Sequence, residues 1–347
     1  MFFASDNSGP VHPQIMDALD SANTGFAMPY GQDALMAEVR NRIREVFEAP
    51  KAAVYLVSTG TAANALVLAT LSTPWQTVFC SPVAHIHEDE CNAPEFYTGG
   101  AKLTLVQGGD KMTPDTLQAT IAKEETRGVH GPQRGAVSIT QVTERGSVYT
   151  LDELQALTAV AKAHDLPVHL DGARFADALV ALGCTAAEMT WKAGVDAVSF
   201  GGTKNGCMGV EAVVFFDPKK AWEFELRRKR GAHLFSKHRY LSAQMAAYLT
   251  DDLWLSSARK ANDACARLVK GLQGAGARFL HAPDANMIFA AFPRAAHQRL
   301  HDAGAMYYIW DGTLDGDDPD EMVAARLVCD WSVTDEQIDQ FLSLLTP

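Results

Sequence analysis

Apolar residues recur with helical and strand periods in the first part of the chain. In residues 33 to 48, Leu35, Val39 and Ile43 fall on one stripe at helical spacing, which predicts a surface helix with one buried face. The run AAVYLVS (52 to 58) is apolar and β-forming and predicts a strand. The next run, TGTAANALVLATL, has the small and aliphatic residues of a buried helix. The pattern therefore predicts a strand, a tight turn and a helix in that order.

The same alternation continues along the chain. GAVSITQV (135 to 142) predicts a buried strand, and Thr150 and Glu153 then form a T-x-x-E capping box before a helix. Further strands are predicted at PVHL (167 to 170), VDAVSF (195 to 200) and EAVVFF (211 to 216). Near-continuous apolar strands that alternate with helices indicate an α/β fold with a mostly parallel sheet covered by helices on both faces.

The C-terminal part of the chain has a different pattern. A helical pattern from about 241 to 272 is predicted to bridge to a second unit. A final helix is predicted to open at Thr334, with Gln337 at capping-box spacing. We therefore predict a large α/β domain at residues 1–250 and a smaller C-terminal α+β domain at residues 251–347. The smaller domain has strand-like runs at NMIFAAF (286 to 292), AMYYIW (305 to 310) and ARLVCD (325 to 330).

Composition narrows the class of partner. The 347-residue chain has 47% hydrophobic and 21% charged residues, which is typical of globular proteins. Its formal charge of -12 disfavours nucleic acid, because binding to a phosphate backbone depends on Lys and Arg displacing counterions. One basic block, RRKRGAHLFSKHR (227 to 239), stands out in this acidic chain. A solvated helix face and a local site for a small anion explain the block equally well.

Cysteine spacing and the N-terminus bear on the compartment. The six cysteines include no C-x-x-C pair, so they indicate neither a disulfide framework nor a zinc site. The N-terminus MFFASDNSGP lacks the basic and apolar regions of a signal peptide, and no run of about 18 apolar residues occurs. We expect a cytoplasmic protein with no membrane partner.

Three polar clusters follow predicted strands, where ligands bind in open α/β sheets. In STGTAAN (58 to 64), the glycine and threonines suit a phosphate, although a plain capped turn also explains them. In HLDGAR (169 to 174), Asp171 needs a cationic partner, which is either Arg174 or a ligand. In SFGGTKNG (199 to 206), the lysine is either a solvated charge or a nucleophile.

Together the clusters match the three chemical handles of pyridoxal 5'-phosphate, which are a phosphate, a ring nitrogen and an aldehyde. Asp171 would keep the pyridine nitrogen protonated, so that the ring accepts electrons. Lys204 would hold the aldehyde as a Schiff base. The combination indicates a cofactor-dependent enzyme more strongly than any one cluster does.

On these motifs the chain resembles the low-specificity L-threonine aldolases, which are fold-type I pyridoxal-phosphate enzymes. The resemblance covers nearly the whole chain and includes STGTAANAL, AHIHEDECNAPEF, HLDGARFADALVALG and SFGGTKNG in the family's order. The segment IWDGTLDGDDPDEM matches no fixed family segment. The resemblance implies cleavage of L-threonine, L-allo-threonine and related L-3-hydroxy-α-amino acids, such as phenylserine, to glycine and an aldehyde.

The resemblance also implies roles for individual residues. The implied catalytic residues are Lys204, His85 and Asp171. The residues implied to bind the cofactor are Gly60, Thr61, His85, Asp171, Arg174, Lys204, Lys229 and Arg239. The residues implied to bind the substrate are Ser5, Tyr30, Arg174 and Arg326. Because Tyr30, Lys229 and Arg239 occupy positions that the family brings from a neighbouring subunit, a homo-oligomer with a shared active site is implied, as a dimer and by similarity a tetramer.

Some alternatives stay open. Some branches of the family have a histidine where this chain has Glu144, so the base for the substrate hydroxyl is either His85 or a water that it orders. HIHEDE (85 to 90) lacks H-E-x-x-H spacing and a third ligand, so no metal site is expected. Other enzymes on the same scaffold, namely a β-eliminating lyase, a transaminase or a serine hydroxymethyltransferase-like protein, also fit the three handles. A non-catalytic binding protein is the alternative from another class.

Overall fold

The computed structural model describes residues 1–345, so residues 346 and 347 lie outside the described range. Within that range the chain forms two β-sheets. The strands of the larger sheet are β1 (Ala53–Val57), β2 (Gln76–Cys80), β3 (Lys102–Leu105), β4 (Gln133–Thr140), β5 (Val168–Gly172), β6 (Ala197–Gly201) and β7 (Glu211–Phe215). Their order across the sheet is β1-β7-β6-β5-β4-β2-β3.

The larger sheet is mostly parallel and buried on both faces. Strands β2 to β6 pair in parallel, and only β7 runs antiparallel to its neighbours β6 and β1. Along β1, Val54 and Leu56 belong to one apolar cluster, whereas Tyr55 and Val57 belong to another. Because successive side chains of a strand point to opposite faces, the two clusters lie on the two sides of the sheet. The α/β fold class predicted from the sequence is confirmed.

Helices cover both faces of this sheet. Helix α3 is buried from Ala62 to Thr70, as its small and aliphatic sequence predicted. None of the helices in residues 1–345 has the length and apolar composition needed to cross a bilayer. The helices are α1 (Pro13–Ala22), α2 (Ala34–Val46), α3 (Gly60–Leu71), α4 (His85–Glu88), α5 (Ala93–Thr98), α6 (Pro114–Ile121), α7 (Leu151–Ala163), α8 (Phe175–Leu182), α9 (Ala221–Arg230), α10 (Arg239–Leu249), α11 (Leu253–Gly274), α12 (Arg294–Asp302) and α13 (Asp335–Ser343).

The single long helix predicted from 241 to 272 is wrong. Helix α10 ends at Leu249 and α11 begins at Leu253. Between them, Asp251 and Asp252 adopt left-handed backbone conformations with φ of 50° and 54°. Aspartate enters this region more readily than most residues, so the chain can turn there without glycine. The apolar stripe continues on both sides of the turn, which is why periodicity alone did not reveal it.

The smaller sheet is antiparallel and packs against the start of the chain. Its strands are β8 (Arg278–Phe279), β9 (Met287–Pro293), β10 (Tyr308–Asp311) and β11 (Met322–Val328), in the order β10-β11-β9-β8. Phe3 lies in the core of this unit, with its ring centroid 5.2 Å from that of Phe341. The N–H of Val328 also donates to the carbonyl of Phe3 at 2.8 Å. These contacts bring residues 5 to 7 close to β11, while the domain boundary after residue 250 stays a prediction.

Candidate active site

The three polar clusters meet at one edge of the larger sheet. They follow β1, β5 and β6, whose carboxyl ends lie at the same edge because these strands run in the same direction. They enclose a cavity of about 390 Å³, which we call the strand-end cavity. It is lined by Asn7, Ser58, Thr59, Gly60, Thr61, Asn64, His85, Asp89, Asp171, Ala173, Thr203, Lys204 and Glu211.

The turn between β1 and α3 presents a helix N-terminus to this cavity. Thr59 is the N-cap, and its hydroxyl accepts a hydrogen bond from the N–H of Ala62 at 3.1 Å, a cap worth about 1 kcal/mol. The first N–H groups of a helix, here those of Gly60 and Thr61, have no partner within the helix. A Cβ atom added at Gly60 would meet no protein atom within 4 Å, so the cavity is open there. This open helix end suits a phosphate.

Asp171 is held in place by hydrogen bonds and is only 2% exposed. One carboxylate oxygen accepts from Asn64 Nδ2 at 2.8 Å, and the other accepts from the N–H of Ala173 at 3.1 Å. The salt bridge to Arg174 that the sequence left open is wrong, because Arg174 pairs with Asp6. No salt bridge joins Asp171 to a cation in residues 1–345, so the carboxylate is available to a cationic group in the cavity.

A histidine supports the strand that carries Asp171. The ring of His169 lies between two serine hydroxyls, with Nδ1 3.0 Å from Ser138 Oγ and Nε2 3.0 Å from Ser199 Oγ. Burial lowers the pKa of His169 to about 4, so the ring is neutral at pH 7. It acts as a structural link between β4, β5 and β6.

The turn that carries Lys204 is fixed on both sides. On one side, Glu211 accepts from the N–H of Gly202 at 2.7 Å. On the other, Asn205 Nδ2 donates to Tyr248 Oη and to the carbonyl of Trp254, both at 2.8 Å. A Cβ atom at residue 202 would lie 2.7 Å from a backbone oxygen, so this close approach requires glycine. The glycine-rich turn therefore holds the lysine rigidly at the cavity.

A second cavity of about 270 Å³, which we call the outer cavity, adjoins the first. The two share Asn7, His85, Asp89 and Lys204, so the lysine and the histidine stand between them. The outer cavity is lined by Ser5, Asn7, His85, Glu88, Asp89, Glu144, Arg145, Arg174, Lys204, Tyr308, Trp310 and Arg326. It therefore combines the start of the chain, the larger sheet and the smaller sheet.

Arg174 is anchored by a residue that the sequence did not reveal. Its Nε and Nη2 donate to the two carboxylate oxygens of Asp6 at 2.6 and 2.9 Å, and both side chains are buried. Asn286 Nδ2 also donates to Asp6, at 3.1 Å. Burial raises the pKa of Asp6, but Arg174 and Lys204 outweigh it, so the pKa of this carboxyl is lowered overall. The only sequence signal was the position of Asp6 beside Ser5 in SDNSGP.

Arg326 brings a second guanidinium to the outer cavity. It lies on β11, and its Nη1 donates to the carbonyl of Ala4 at 3.2 Å. Burial, and then the positive charge of Arg174, lower the pKa of Arg326. Of the three guanidinium groups that line this cavity, those of Arg145, Arg174 and Arg326, only that of Arg174 pairs with a carboxylate within residues 1–345. Together they form a site for an anion such as a carboxylate.

Aromatic residues of the smaller sheet close the outer cavity. The guanidinium of Arg145 lies 4.3 Å from the ring centroid of Trp310 and 5.8 Å from that of Phe289. Tyr308 and Trp310 come from β10 and also line the cavity. The sequence predicted a strand near these residues but gave no signal that they reach the site.

Three predicted residues lie elsewhere. Tyr30, Lys229 and Arg239 line neither cavity. They lie near one another, since Lys229 Nζ is 5.0 Å from the ring centroid of Tyr30, and the N–H of Tyr30 donates to the carbonyl of Ser236, three residues before Arg239, at 3.1 Å. Arg239 itself donates to the carbonyl of Gly25 at 3.0 Å. Within the same chain they are therefore separate from Lys204.

The basic block is partly structural. Arg228 is buried and donates to the carbonyl of Leu56 at 3.2 Å, with its guanidinium 5.0 Å from the ring centroid of Tyr55. The contacts of Arg228 within the chain therefore account for this arginine without a nucleic acid.

In residues 1–345, no group of three or more His, Cys, Asp or Glu side chains is arranged to hold a metal ion.

Several known proteins are similar to this chain in sequence and in fold. Residues 3–294 match the model of the family described as β-eliminating lyase. The chain is 39% identical to the low specificity L-threonine aldolase of Pseudomonas sp. over 97% of this chain and 94% of the relative. The resemblance stated from the motifs is thus confirmed.

Solved structures support the fold. The threonine aldolase of Leishmania major superposes with a TM-score of 0.92 at 26% identity, covering 99% of this chain and 98% of the other. Serine palmitoyltransferase from S. paucimobilis, solved with a bound pyridoxal phosphate–myriocin aldimine, superposes with a TM-score of 0.67 at 17% identity over 99% of this chain and 86% of the other. At that identity the second likeness concerns the fold alone, and together the two confirm the fold-type I architecture.

Proposed function

The chain belongs to the β-eliminating lyase family, and on that premise we propose that it cleaves L-threonine to glycine and acetaldehyde by a retro-aldol reaction. One observation carries the proposal: Lys204 stands between a cavity with an open helix N-terminus and a cavity lined by three guanidinium groups. The first suits a phosphate-bearing cofactor, and the second suits the carboxylate of an amino acid.

The strand-end cavity fits pyridoxal 5'-phosphate. Gly60 and Thr61 would hold the phosphate, because their N–H groups are unpaired in the helix and no side chain fills the space beside Gly60. Asp171 would hold the protonated ring nitrogen, and Lys204 would hold the aldehyde. When bound, this cofactor supplies an electron sink for the electrons released as a bond to the substrate Cα breaks.

The arginines would orient the substrate. Arg326 and Arg174 would bind its carboxylate, and the bidentate pair with Asp6 keeps the Arg174 guanidinium in one position. A fixed carboxylate limits the rotation of the substrate, and such orientation supplies a large part of the rate enhancement in enzymes. Ser5 lines the same cavity and offers a hydroxyl to the carboxylate.

His85 is the proposed acceptor of the proton from the β-hydroxyl, directly or through a water that it orders. It lines both cavities, so its ring reaches the junction where cofactor and substrate would meet. As the aldehyde leaves, the hydroxyl proton passes to the ring nitrogen that faces the cavity.

The outer cavity supports a broad range of β-substituents. Its outer wall is formed by Tyr308, Trp310 and Arg145, which present flat aromatic and guanidinium surfaces. Such surfaces accept a methyl group as well as a phenyl ring. We therefore extend the proposal to L-allo-threonine and phenylserine.

We also propose a homo-oligomer, with a dimer of dimers as its complete form, in which Tyr30, Lys229 and Arg239 of one subunit approach the site of another. The exposed apolar residues Phe26 and Met28 near this group support an interface, since a free surface rarely exposes such side chains together. Sedimentation velocity tests the assembly: a monomer at micromolar concentration would contradict it.

The direct test is a product assay on purified protein supplied with the cofactor. Aldehyde and glycine are expected in equal amounts from L-threonine, L-allo-threonine and phenylserine. Lys204→Ala should release no aldehyde, whereas Lys219→Ala, at an exposed lysine outside both cavities, should behave as wild type. A keto acid in place of aldehyde would instead support a β-eliminating lyase or a transaminase.

A further inference from the structure

A continuous hydrogen-bond chain in the wall of the strand-end cavity links Asp171 to His85. Asn64 Nδ2 donates to Asp171 Oδ2 at 2.8 Å and to Glu90 Oε1, also at 2.8 Å. The same oxygen of Glu90 lies 2.8 Å from Nδ1 of His85. Asn64 and Glu90, which have no role in the proposed reaction, therefore connect Asp171 and His85, which both take part in it. We call these two residues the Asn64–Glu90 bridge.

The buried polar groups of the Asn64–Glu90 bridge lower the stability of the fold. Glu90 is 3% exposed and Asn64 is 2% exposed, and Asn64 lies in a helix whose other buried residues are mostly apolar. Glu90 Oε2 and Asn64 Oδ1 have no hydrogen-bond partner in residues 1–345. A buried carboxylate and a half-satisfied amide destabilise a core relative to apolar residues. Packing therefore does not account for these residue types.

The geometry selects one tautomer of the histidine. Glu90 Oε1 is an acceptor, so Nδ1 of His85 carries the proton that points toward it. In the neutral ring, Nε2 is then the unprotonated nitrogen and is the one left for the cavity. This is the form that a proton acceptor at the substrate hydroxyl needs.

We propose that Glu90 and Asn64 are positioning residues: Glu90 fixes the ring and the Nδ1 proton of His85, and Asn64 locks Glu90 to the Asp171 carboxylate. The inference rests on the proposed function, because it assigns His85 the proton of the β-hydroxyl. It adds that the orientation of this base and the position of the ring-nitrogen partner are set by one connected network.

The electrostatic surroundings of His85 agree with this role. The hydrogen bond to Glu90 raises the pKa of His85, burial opposes that rise, and the negative charges of Asp171 and Glu144 add to it. Burial also raises the pKa of Glu90. Glu90 contacts the ring of His85 directly. The other charged residues that line the two cavities with His85 are Glu88, Asp89, Glu144, Arg145, Asp171, Arg174, Lys204, Glu211 and Arg326.

A titration of the cofactor-free protein tests the proposal without any assay of activity. The 11 histidines are labelled at Cε1 and titrated by NMR, and His85→Asn identifies the His85 signal. In Glu90→Gln, the neutral amide no longer stabilises the charged ring, so the pKa of His85 should fall below its wild-type value. Glu95→Gln is the control, because Glu95 is a half-buried carboxylate five residues further along the chain that lines neither cavity. In this variant the pKa of His85 should stay at its wild-type value.

An unchanged pKa of His85 in Glu90→Gln would overturn the proposal. If Glu90→Gln does not fold, Glu90→Asp provides the second variant, because it keeps the charge but shortens the reach by one methylene. A pKa below the wild-type value is expected there too, and a wild-type value would contradict the proposal.

The loaded enzyme gives a second readout in the pH dependence of kcat/KM. In Glu90→Gln, the plateau should fall about 10- to 100-fold, as for other residues that orient a functional histidine. The acidic limb of the kcat/KM pH profile should move to lower pH, because the His85 ring loses its proton at a lower pH in this variant. A plateau that falls with no movement of the limb would contradict the proposal. If the wild type released no aldehyde, the proposed function would fail, while the titration would still decide the role of Glu90.

Discussion

The two adjoining cavities are built in different ways. The strand-end cavity is made mainly of turns that directly follow β1, β5 and β6, and each turn has at least one hydrogen bond that is close to it in the chain. The outer cavity is assembled from the first residues of the chain, a loop after β4 and two strands of the smaller sheet. An ion pair over 168 residues and a cation–π contact hold it together.

This difference suggests a division of labour. The turns at strand ends can hold a cofactor in one geometry for any reaction on this scaffold. The residues that choose the substrate come from segments that can vary without disturbing those turns. Substitutions in the first cavity should therefore abolish chemistry, and those in the second should change affinity, stability or preference.

After the complete loss expected for Lys204→Ala, the largest effect is expected at the end of β5. Asp171→Asn removes the negative charge opposite the cofactor ring nitrogen, and the loss of one preorganised electrostatic contact costs about 10³-fold in kcat. Steady-state kinetics on L-threonine measures the loss. Asp196→Asn, which changes a carboxylate just before β6 that lines neither cavity, should keep wild-type activity. Activity near wild type in Asp171→Asn would break the assignment of the first cavity.

The buried ion pair of the outer cavity should appear in stability. Asp6→Ala leaves the Arg174 guanidinium buried without a partner, which costs about 3–5 kcal/mol in the free energy of unfolding. Urea denaturation of the cofactor-free protein measures this change in the free energy of unfolding. Asp217→Ala serves as the control, because Asp217 forms an exposed ion pair with Lys219.

The same pair gives a pH dependence with a defined sign. Because the pKa of Asp6 is lowered in the folded state, its stabilisation is present above the ordinary value of 3.8 and is lost as the pH falls below it. The difference in unfolding free energy between wild type and Asp6→Ala should therefore narrow in that acidic range. A difference that widens on acidification would contradict the ion-pair account.

The carboxylate site should appear mainly in KM. Arg326→Ala removes one of the two guanidinium groups of this cavity, those of Arg145 and Arg326, that have no carboxylate partner in residues 1–345. The value of kcat/KM for L-threonine should then fall about 30-fold, mostly through KM. Arg278→Ala, at an exposed arginine of the same sheet, is the matched control. Should KM remain at the wild-type value, the substrate carboxylate must bind elsewhere.

The smallest effect is expected at the outer wall. Trp310→Ala removes the surface on which Arg145 stacks, a contact worth about 1 kcal/mol. The ratio of kcat/KM for phenylserine to that for L-threonine should fall about 5-fold, while threonine turnover stays close to wild type. An equal loss for both substrates would show that the wall supports the site as a whole rather than the β-substituent.

Local sequence explains why one cavity was easier to predict. Gly60 and Lys204 each follow an apolar strand, Asp171 lies at the end of one, and parallel strands bring their ends together in any sheet of this class. The two residues of the Asp6–Arg174 pair are 168 residues apart in the chain, so no local pattern could reveal it. It depends on how the first residues pack against the smaller sheet.

The Asn64–Glu90 bridge left only a faint signal in the sequence. Asn64 is an amide inside a helix of small and aliphatic residues, where burial without a partner is costly. The buried amide draws attention to Asn64 but does not identify Glu90 as its partner, because Glu90 follows a different strand. Similarly, the contact between Arg145 and Trp310 joins two units whose relative placement the sequence did not specify.

Borohydride reduction tests the central claim most directly. The reagent fixes the bond between a lysine and the bound cofactor, and peptide mapping by mass spectrometry then locates the modified residue. We predict a single modified lysine at position 204 and no modification in Lys204→Ala. A pyridoxyl group on a different lysine, or none on wild-type protein incubated with the cofactor, would contradict the account.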